Sequence, residues 1–285
     1  MYQDKRKEQA DKMNYFDCHV DTLTEILKPG DTLDENSCDL DLKRVGNFVE
    51  NYTQIFAIWK DAVKLDKEEP DRDFFRLYDR AMAYLAEENR KIALCLTGEE
   101  MEKAHRQRKA AAFLSIEDLS IMGKYVEKIR EMGFRFAMLT WNYENEIGAP
   151  NLTTDEAGTP RFDKRNSQGL TEFGIEMIQE MERLGMIVDV SHLSDGGFWD
   201  VLHHTTQPFV ASHSDAASEC NVCRNLTDDM IRALADRGGV MGLNYCHDFL
   251  TESDKPAALS ADTSIFMDAG KQTKKISRME DMVRH

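Results

Sequence analysis

Tyr15-Phe-Asp-Cys-His-Val-Asp21 is a short β-type run carrying Asp17, His19 and Asp21 at every second position. Side chains two apart in a strand project to one face, so this period places two carboxylates and an imidazole together. Such a face is badly suited to a hydrophobic core. It suits a divalent cation, because imidazole nitrogen and carboxylate oxygen are natural ligands of zinc and its neighbours. A capped strand end with hydrogen-bonded polar residues has the same pattern, and three residues alone do not separate the two readings. The endings of later strands do.

Outward from this run the chain alternates. Tyr52–Trp59 is the next β-rich segment. A charged stretch from Lys60 to Arg72 reads as solvated surface. A helix follows from about Asp73 to Asn89, with apolar residues at 74, 75, 77, 78, 81, 82 and 85. Ala110–Glu117 is a strand ending in a carboxylate. Tyr125–Met132 is helical and Gly133 stops it. Phe134–Trp141 is a strand, and 142–169 is a long polar loop. Thr171–Leu184 is an amphipathic helix ended by Gly185. Met186–His192 is a strand ending in histidine, Asp195–His203 a helix, and Pro208–His213 a second strand ending in histidine. Thr227 is the N-cap of the next helix, and Gly238–Tyr245 is a seventh strand. Strand and helix in alternation give βα units and a parallel sheet. Seven such strands in 285 residues favour a (β/α)8 TIM-type barrel over an open sheet. A single domain is expected over 13–285, after a polar tail over 1–12.

Composition limits the partners. The 52 acidic residues against 36 basic ones leave a formal charge of −16, which argues against nucleic acid and against an anionic membrane surface. No apolar run approaches the ~20 residues of a spanning helix. The charged N-terminus lacks an apolar signal core. Six scattered cysteines fit a reducing cytoplasm better than a disulfide scaffold. Cys220-Asn-Val-Cys223 is a CxxC without a second pair and reads as ordinary loop cysteines. His105, His203, His204 and His247 fall in helix or loop text and read as surface residues.

In a TIM-type barrel the chemistry sits at the C-terminal ends of the strands, which is where His19, Asp21, Glu117, His192 and His213 fall. Five potential ligands exceed the needs of one tetrahedral site, so two metal ions are the economical reading. His19 and Asp21 would hold one, His192 and His213 the other, and Glu117 would bridge them. Such a pair holds a water that can be deprotonated near neutral pH and attack a polarised carbonyl or phosphoryl group. Asp17 is placed to orient His19 from behind, though strand-edge decoration explains it equally well.

These residues also resemble a family. Asp17-Cys-His-Val-Asp21, Ser115-Ile-Glu117, Gly169-Leu-Thr-Glu-Phe-Gly174, Leu184-Gly-Met-Ile-Val-Asp-Val-Ser-His192, Ala211-Ser-His-Ser214 and Arg224-Asn-Leu-Thr-Asp228 are similar to the motifs of the membrane (renal) dipeptidases, from about residue 14 onward. The resemblance implies a metallo-dependent hydrolase barrel with two zinc ions, cleaving dipeptides and often tolerating a D-residue at the C-terminal position. It places His19, Asp21, Glu117, His192 and His213 on the metal ligands, with Glu117 as bridge. Arg224 falls on the arginine that receives the substrate carboxylate, a task suited to its planar fork. By analogy a homodimer is expected.

Two departures stand out. Trp141 occupies the place of a histidine that helps position substrate and stabilise the oxyanion; Asn142 is a weak candidate for that role, and the indole reads as packing at the rim. The family also continues into an eighth strand with a Gly-Ser-Asp-Phe-Asp-Gly-like motif, whose first aspartate is the expected general base. This sequence stops at His285, so the barrel is expected to lack its last strand. A related amidase- or lactonase-type metallohydrolase, or a non-catalytic remnant that only binds metal, is the alternative.

Overall fold

The computed structural model of the chain describes residues 13–26, 30–60, 72–154, 160–162, 164–251 and 279–285. The polar tail over 1–12 and most of the charged stretch between Lys60 and Arg72 lie outside them. The chain divides into two units, one of residues 1–137 with 184–186, the other of 138–183 with 187–285.

The first unit is built on long parallel strands. β1 (Asn14–Val20) pairs with β2 (Asn51–Trp59), and β2 pairs with β4 (Ala110–Glu117) in continuous register from Thr53↔Ala111 to Trp59↔Glu117. β3 (Ile92–Leu94) runs beside the start of β4, and β5 (Phe134–Met138) beside its end. β2 reads as an unbroken apolar run because both faces are covered: Ile55, Phe56, Ala57 and Ile58 are all buried. Helix α1 (Thr22–Glu25) follows β1, and α2 (Leu42–Val45) begins at Asp41, whose carboxylate accepts the Arg44 N–H. α3 (Arg72–Glu87) buries Phe74, Ala81 and Leu85, a helical stripe. Phe74 stacks on Phe134 at 6.0 Å. α4 (Gly98–Arg106) is capped by Thr97, and α5 (Val126–Glu131) stops at Gly133, whose φ of 103° is left-handed. This is the glycine stop expected from the sequence.

In the second unit the strands are shorter. A hairpin joins β6 (Thr153–Thr154) to β7 (Pro160–Arg161) inside the long polar loop. α6 (Glu172–Arg183), β8 (Ile187–Asp189), α7 (Asp195–His204), β9 (Val210–Ala211), α8 (Asp228–Asp236) and β10 (Val240–Met241) then alternate. β8, β9 and β10 are parallel neighbours in that order. Thr227 caps α8 as expected. α9 (His247–Leu250) and α10 (Met279–Arg284) follow. The Gly169–Gly174 motif has a steric basis: Thr171 Oγ1 accepts the Gly174 N–H, and a Cβ at Gly174 would meet the Ile147 carbonyl oxygen at 2.0 Å. Only glycine lets the first turn of α6 approach that backbone.

The expected α/β class with parallel strands is present, and each of the seven expected strands has a counterpart. Their lengths differ. Met186–His192, Pro208–His213 and Gly238–Tyr245 shrink to two or three ladder residues because polar side chains, described below, take over the backbone pairing. β3 and the hairpin are not foreseen, since runs of two or three residues carry no readable period.

Candidate metal centre

In the first unit β1 does not keep its period to the end. Asp17 pairs with Gln54 but Val20 with Phe56, so an extra residue bulges between them. The Asp17 carboxylate accepts the His19 backbone N–H at 3.1 Å and braces this bulge. Burial pushes the Asp17 carboxyl above its usual value, opposed by that hydrogen bond, by Gln54 and by the charge of His19. Asp21 leaves the strand altogether. It is the N-cap of α1, its carbonyl receiving the Thr24 and Glu25 N–H groups at 2.9 and 3.0 Å. The simple picture of three side chains alternating along one strand is therefore corrected. A bulge re-aims the imidazole and a helix start presents the second carboxylate.

The outcome still brings the ligand types together. His19 Nε2 lies 3.6 Å from Asp21 Oδ1 and 3.6 Å from Glu117 Oε2. Glu117 is the last residue of β4 and is buried. Asp118 follows with a φ of 68°, a left-handed turn held by its own carboxylate on the Ser120 N–H. Donors about 2.0–2.2 Å from a tetrahedral zinc stand roughly 3.3–3.6 Å from one another. Each of the two distances from His19 is at the upper edge of that spacing.

In the second unit His192 and His213 meet. Their Nε2 atoms are 2.9 Å apart and their rings 4.9 Å, crossed at 62°. Two imidazole lone pairs cannot face each other at that distance, so one Nε2 carries a proton and donates to the other; two donors on one tetrahedral zinc stand about 0.5 Å further apart. Behind the rings, His192 Nδ1 lies 2.9 Å from Asn142 Oδ1 and His213 Nδ1 lies 2.9 Å from Ser212 Oγ. Hydrogen bonding at Nδ1 turns Nε2 toward the shared point, the usual arrangement of metal-binding histidines. The donor set fits a borderline cation such as zinc.

Local structure explains this placement. Asp189, buried at the end of β8, accepts the N–H groups of Ser191 and Ser212 at 3.0 Å each. Ser191 Oγ accepts the His213 N–H at 3.1 Å. His192 has a φ of 70°, left-handed backbone that a histidine adopts at a cost and that points its ring off the strand line. Trp141, expected at the rim, is buried and packs on the His192 ring at a centroid distance of 6.2 Å.

Arg224 is buried, with its guanidinium carbon 5.5 Å from the centroid of the Phe249 ring. Nearby Asp215 is fully buried. Its carboxyl is pushed up to about 6 by burial, against the opposing pull of the Asn244 N–H, His285 and Arg224. Sequence reading missed Asp189 and Asp215. For Asp189 the signal is an acid within an apolar strand; Asp215 carries none.

All six cysteines are free thiols. Burial pushes the Cys223 thiol up to about 11, and Cys220 and Cys223 donate to different carbonyls, of Asp248 and Arg161. Sulfurs bonded to different carbonyls, one of them held protonated, do not form a thiolate pair, in keeping with ordinary loop cysteines. His203 and His204 are exposed as expected. His105 is not a surface residue: half-buried, it sits with Nε2 at 3.1 Å from both Thr53 Oγ1 and the Tyr52 carbonyl, tying α4 to β2. His247 is likewise half-buried.

The family model described as Membrane dipeptidase (Peptidase family M19) matches residues 3–285. Among curated proteins the chain is 34% identical over 174 residues to an uncharacterised protein of the pqqA 5′ region of Klebsiella pneumoniae, covering 58% of this chain and 62% of that protein. It is 33% identical over 159 residues to an uncharacterised dipeptidase of Schizosaccharomyces pombe, covering 55% and 36%. The chain thus spans less than two thirds of the length of either relative. Among solved structures it is similar to the M19 metallopeptidase dipeptidase AC, at 24% identity and a TM-score of 0.71 over 85% of this chain and 75% of that one. A metallopeptidase of Rhodobacter sphaeroides, liganded with a phosphinate mimic of the dipeptide L-Ala-D-Ala, matches at 24% identity and a TM-score of 0.67, over 85% and 76%. These likenesses show the fold, and they agree with the barrel class read from the strands.

Proposed function

The chain belongs to the membrane dipeptidase family, peptidase family M19, and from that premise we propose that it is a zinc-dependent hydrolase of dipeptides. The observation that carries the proposal is the convergence of ligand types. The Nε2 atoms of His192 and His213 face each other at N–H···N distance, 2.9 Å, about 0.5 Å short of two donors on one tetrahedral ion, in a chain that also brings His19 beside Asp21 and Glu117. His19 and Asp21 would hold one ion and His192 and His213 the other, with Glu117 as the ligand they would share, in a single domain over 13–285. When bound, such a pair supplies a Lewis acid for the scissile carbonyl and an activated water. Arg224 receives the C-terminal carboxylate of the dipeptide. Its burial strengthens a charge-assisted, bidentate bond there. Tolerance for a D-residue at that end is supported by the L-Ala-D-Ala mimic bound to the Rhodobacter sphaeroides relative. Six free thiols support a reducing, cytoplasmic setting. The analogy that suggests a homodimer extends to this chain.

The test has two measurements. Elemental analysis of the purified chain is expected to find about two zinc ions. L-Ala-D-Ala and L-Ala-L-Ala are then offered to the zinc-loaded protein and to Arg224→Ala, where loss of the carboxylate-binding arginine should lower kcat/KM for both. Absence of dipeptide hydrolysis by the zinc-loaded protein, or hydrolysis of lactones or other amides alone, overturns the assignment.

A further inference from the structure

We propose that Asn142 is the positioning residue that sets the tautomer and the aim of His192. The inference rests on the reading of His192 as a metal ligand and adds a residue to it. Neutral imidazole offers a metal one nitrogen only, and the proton must stay on the other. The Asn142 carboxamide oxygen, 2.9 Å from Nδ1, is an acceptor, so it holds the proton on Nδ1 and leaves the Nε2 lone pair for the cation. His213 differs in this respect. Its Nδ1 faces the Ser212 hydroxyl, which can donate or accept, so Ser212 does not choose the His213 tautomer as Asn142 chooses that of His192.

The surroundings restrain Asn142 as well. It lies in the loop after β5, and Asn145 braces that loop with three hydrogen bonds: Nδ2 donates to the Leu139 carbonyl at 2.9 Å, and Oδ1 accepts the N–H groups of Ile147 and Gly148 at 2.8 and 3.1 Å. The preceding residue, Trp141, packs against the His192 ring, the two planes tilted by 37°. Consecutive residues thus restrain one imidazole: the indole packs beside the ring and the carboxamide, bonded to Nδ1, opposes its rotation about Cβ–Cγ. A neutral amide also adds no negative charge behind the ligand, unlike the carboxylates that often back metal-binding histidines.

The test compares the wild-type chain with Asn142→Ala and Asn142→Asp by two readouts. Long-range ¹H–¹⁵N spectra of the metal-free chains report the His192 tautomer, which a merely structural role of Asn142 would leave alone. Competition with a zinc chelator reports affinity. The expected results are protonation at Nδ1 in the wild type, a mixture of tautomers in Asn142→Ala with zinc affinity about 10–100-fold lower, and recovery of both in Asn142→Asp, which keeps an acceptor oxygen. An unchanged His192 tautomer in Asn142→Ala, or zinc affinity within about twofold of wild type, overturns the inference. A wild-type chain that binds no zinc overturns the proposed function, and the tautomer comparison then still judges Asn142 on its own.

Discussion

The two units hold their candidate ligands by different physics. In the first, Glu117 ends a strand locked in continuous backbone register with β2 and packed among buried apolar side chains. The ladder and the core position it. In the second, β8 and β9 share a single paired position, Asp189↔Val210. His192 and His213 are placed instead by side chains that bond backbone, chiefly Asp189 and Ser191. The lesson is that a long ladder tolerates the loss of any one hydrogen bond but not the loss of core volume. A polar bracket reverses those tolerances, because a single acceptor serves two strand ends.

The largest expected effect tests the first half of that contrast. Phe134 is fully buried against Phe74 and Tyr78. Phe134→Ala should cost about 3–5 kcal/mol in urea unfolding followed by tryptophan fluorescence. A cost under about 1 kcal/mol would show that the apolar core is not what secures this unit.

Next in size is the bracket. Asp189→Ala leaves the N–H groups of Ser191 and Ser212 buried without their acceptor and should cost about 2–3 kcal/mol in all. Zinc affinity, read by chelator competition, should fall with it, while Asp189→Asn, retaining one acceptor oxygen, should recover most of both. If Asp189→Ala loses stability yet binds zinc as tightly as wild type, the bracket does not aim the histidines.

The smallest effect is a gain. Asp215 is fully buried, its Oδ2 meets no hydrogen-bond donor among the described residues, and its carboxyl is raised from 3.8 to about 6. A group whose folded pKa is raised favours the fold while protonated. Its contribution is complete below about pH 4 and is lost as pH rises through about 6. Asp215→Asn keeps an oxygen for the Asn244 N–H and removes the buried charge. The metal-free variant should therefore be more stable than wild type by about 2 kcal/mol at pH 8, with the difference shrinking toward pH 5. Equal urea midpoints at both pH values would mean that the bracket side of the molecule carries no such electrostatic strain.

Much of this was legible in the chain itself. Alternation of β-rich runs with amphipathic helices, and glycines just past α5 and α6, announced parallel βα units. Histidine or carboxylate at the ends of those runs announced the ligand types. These signals are local: a period, a cap or a stop is written within a few neighbouring residues. What tertiary structure alone decided is non-local. The bulge that re-aims His19 depends on the register of β1 against β2. The bond from Asn142 to His192 spans 50 residues of sequence, and that from Asp189 to Ser212 spans 23. A side chain's partner across such distances is set by how the backbone packs, and no period in the chain encodes it.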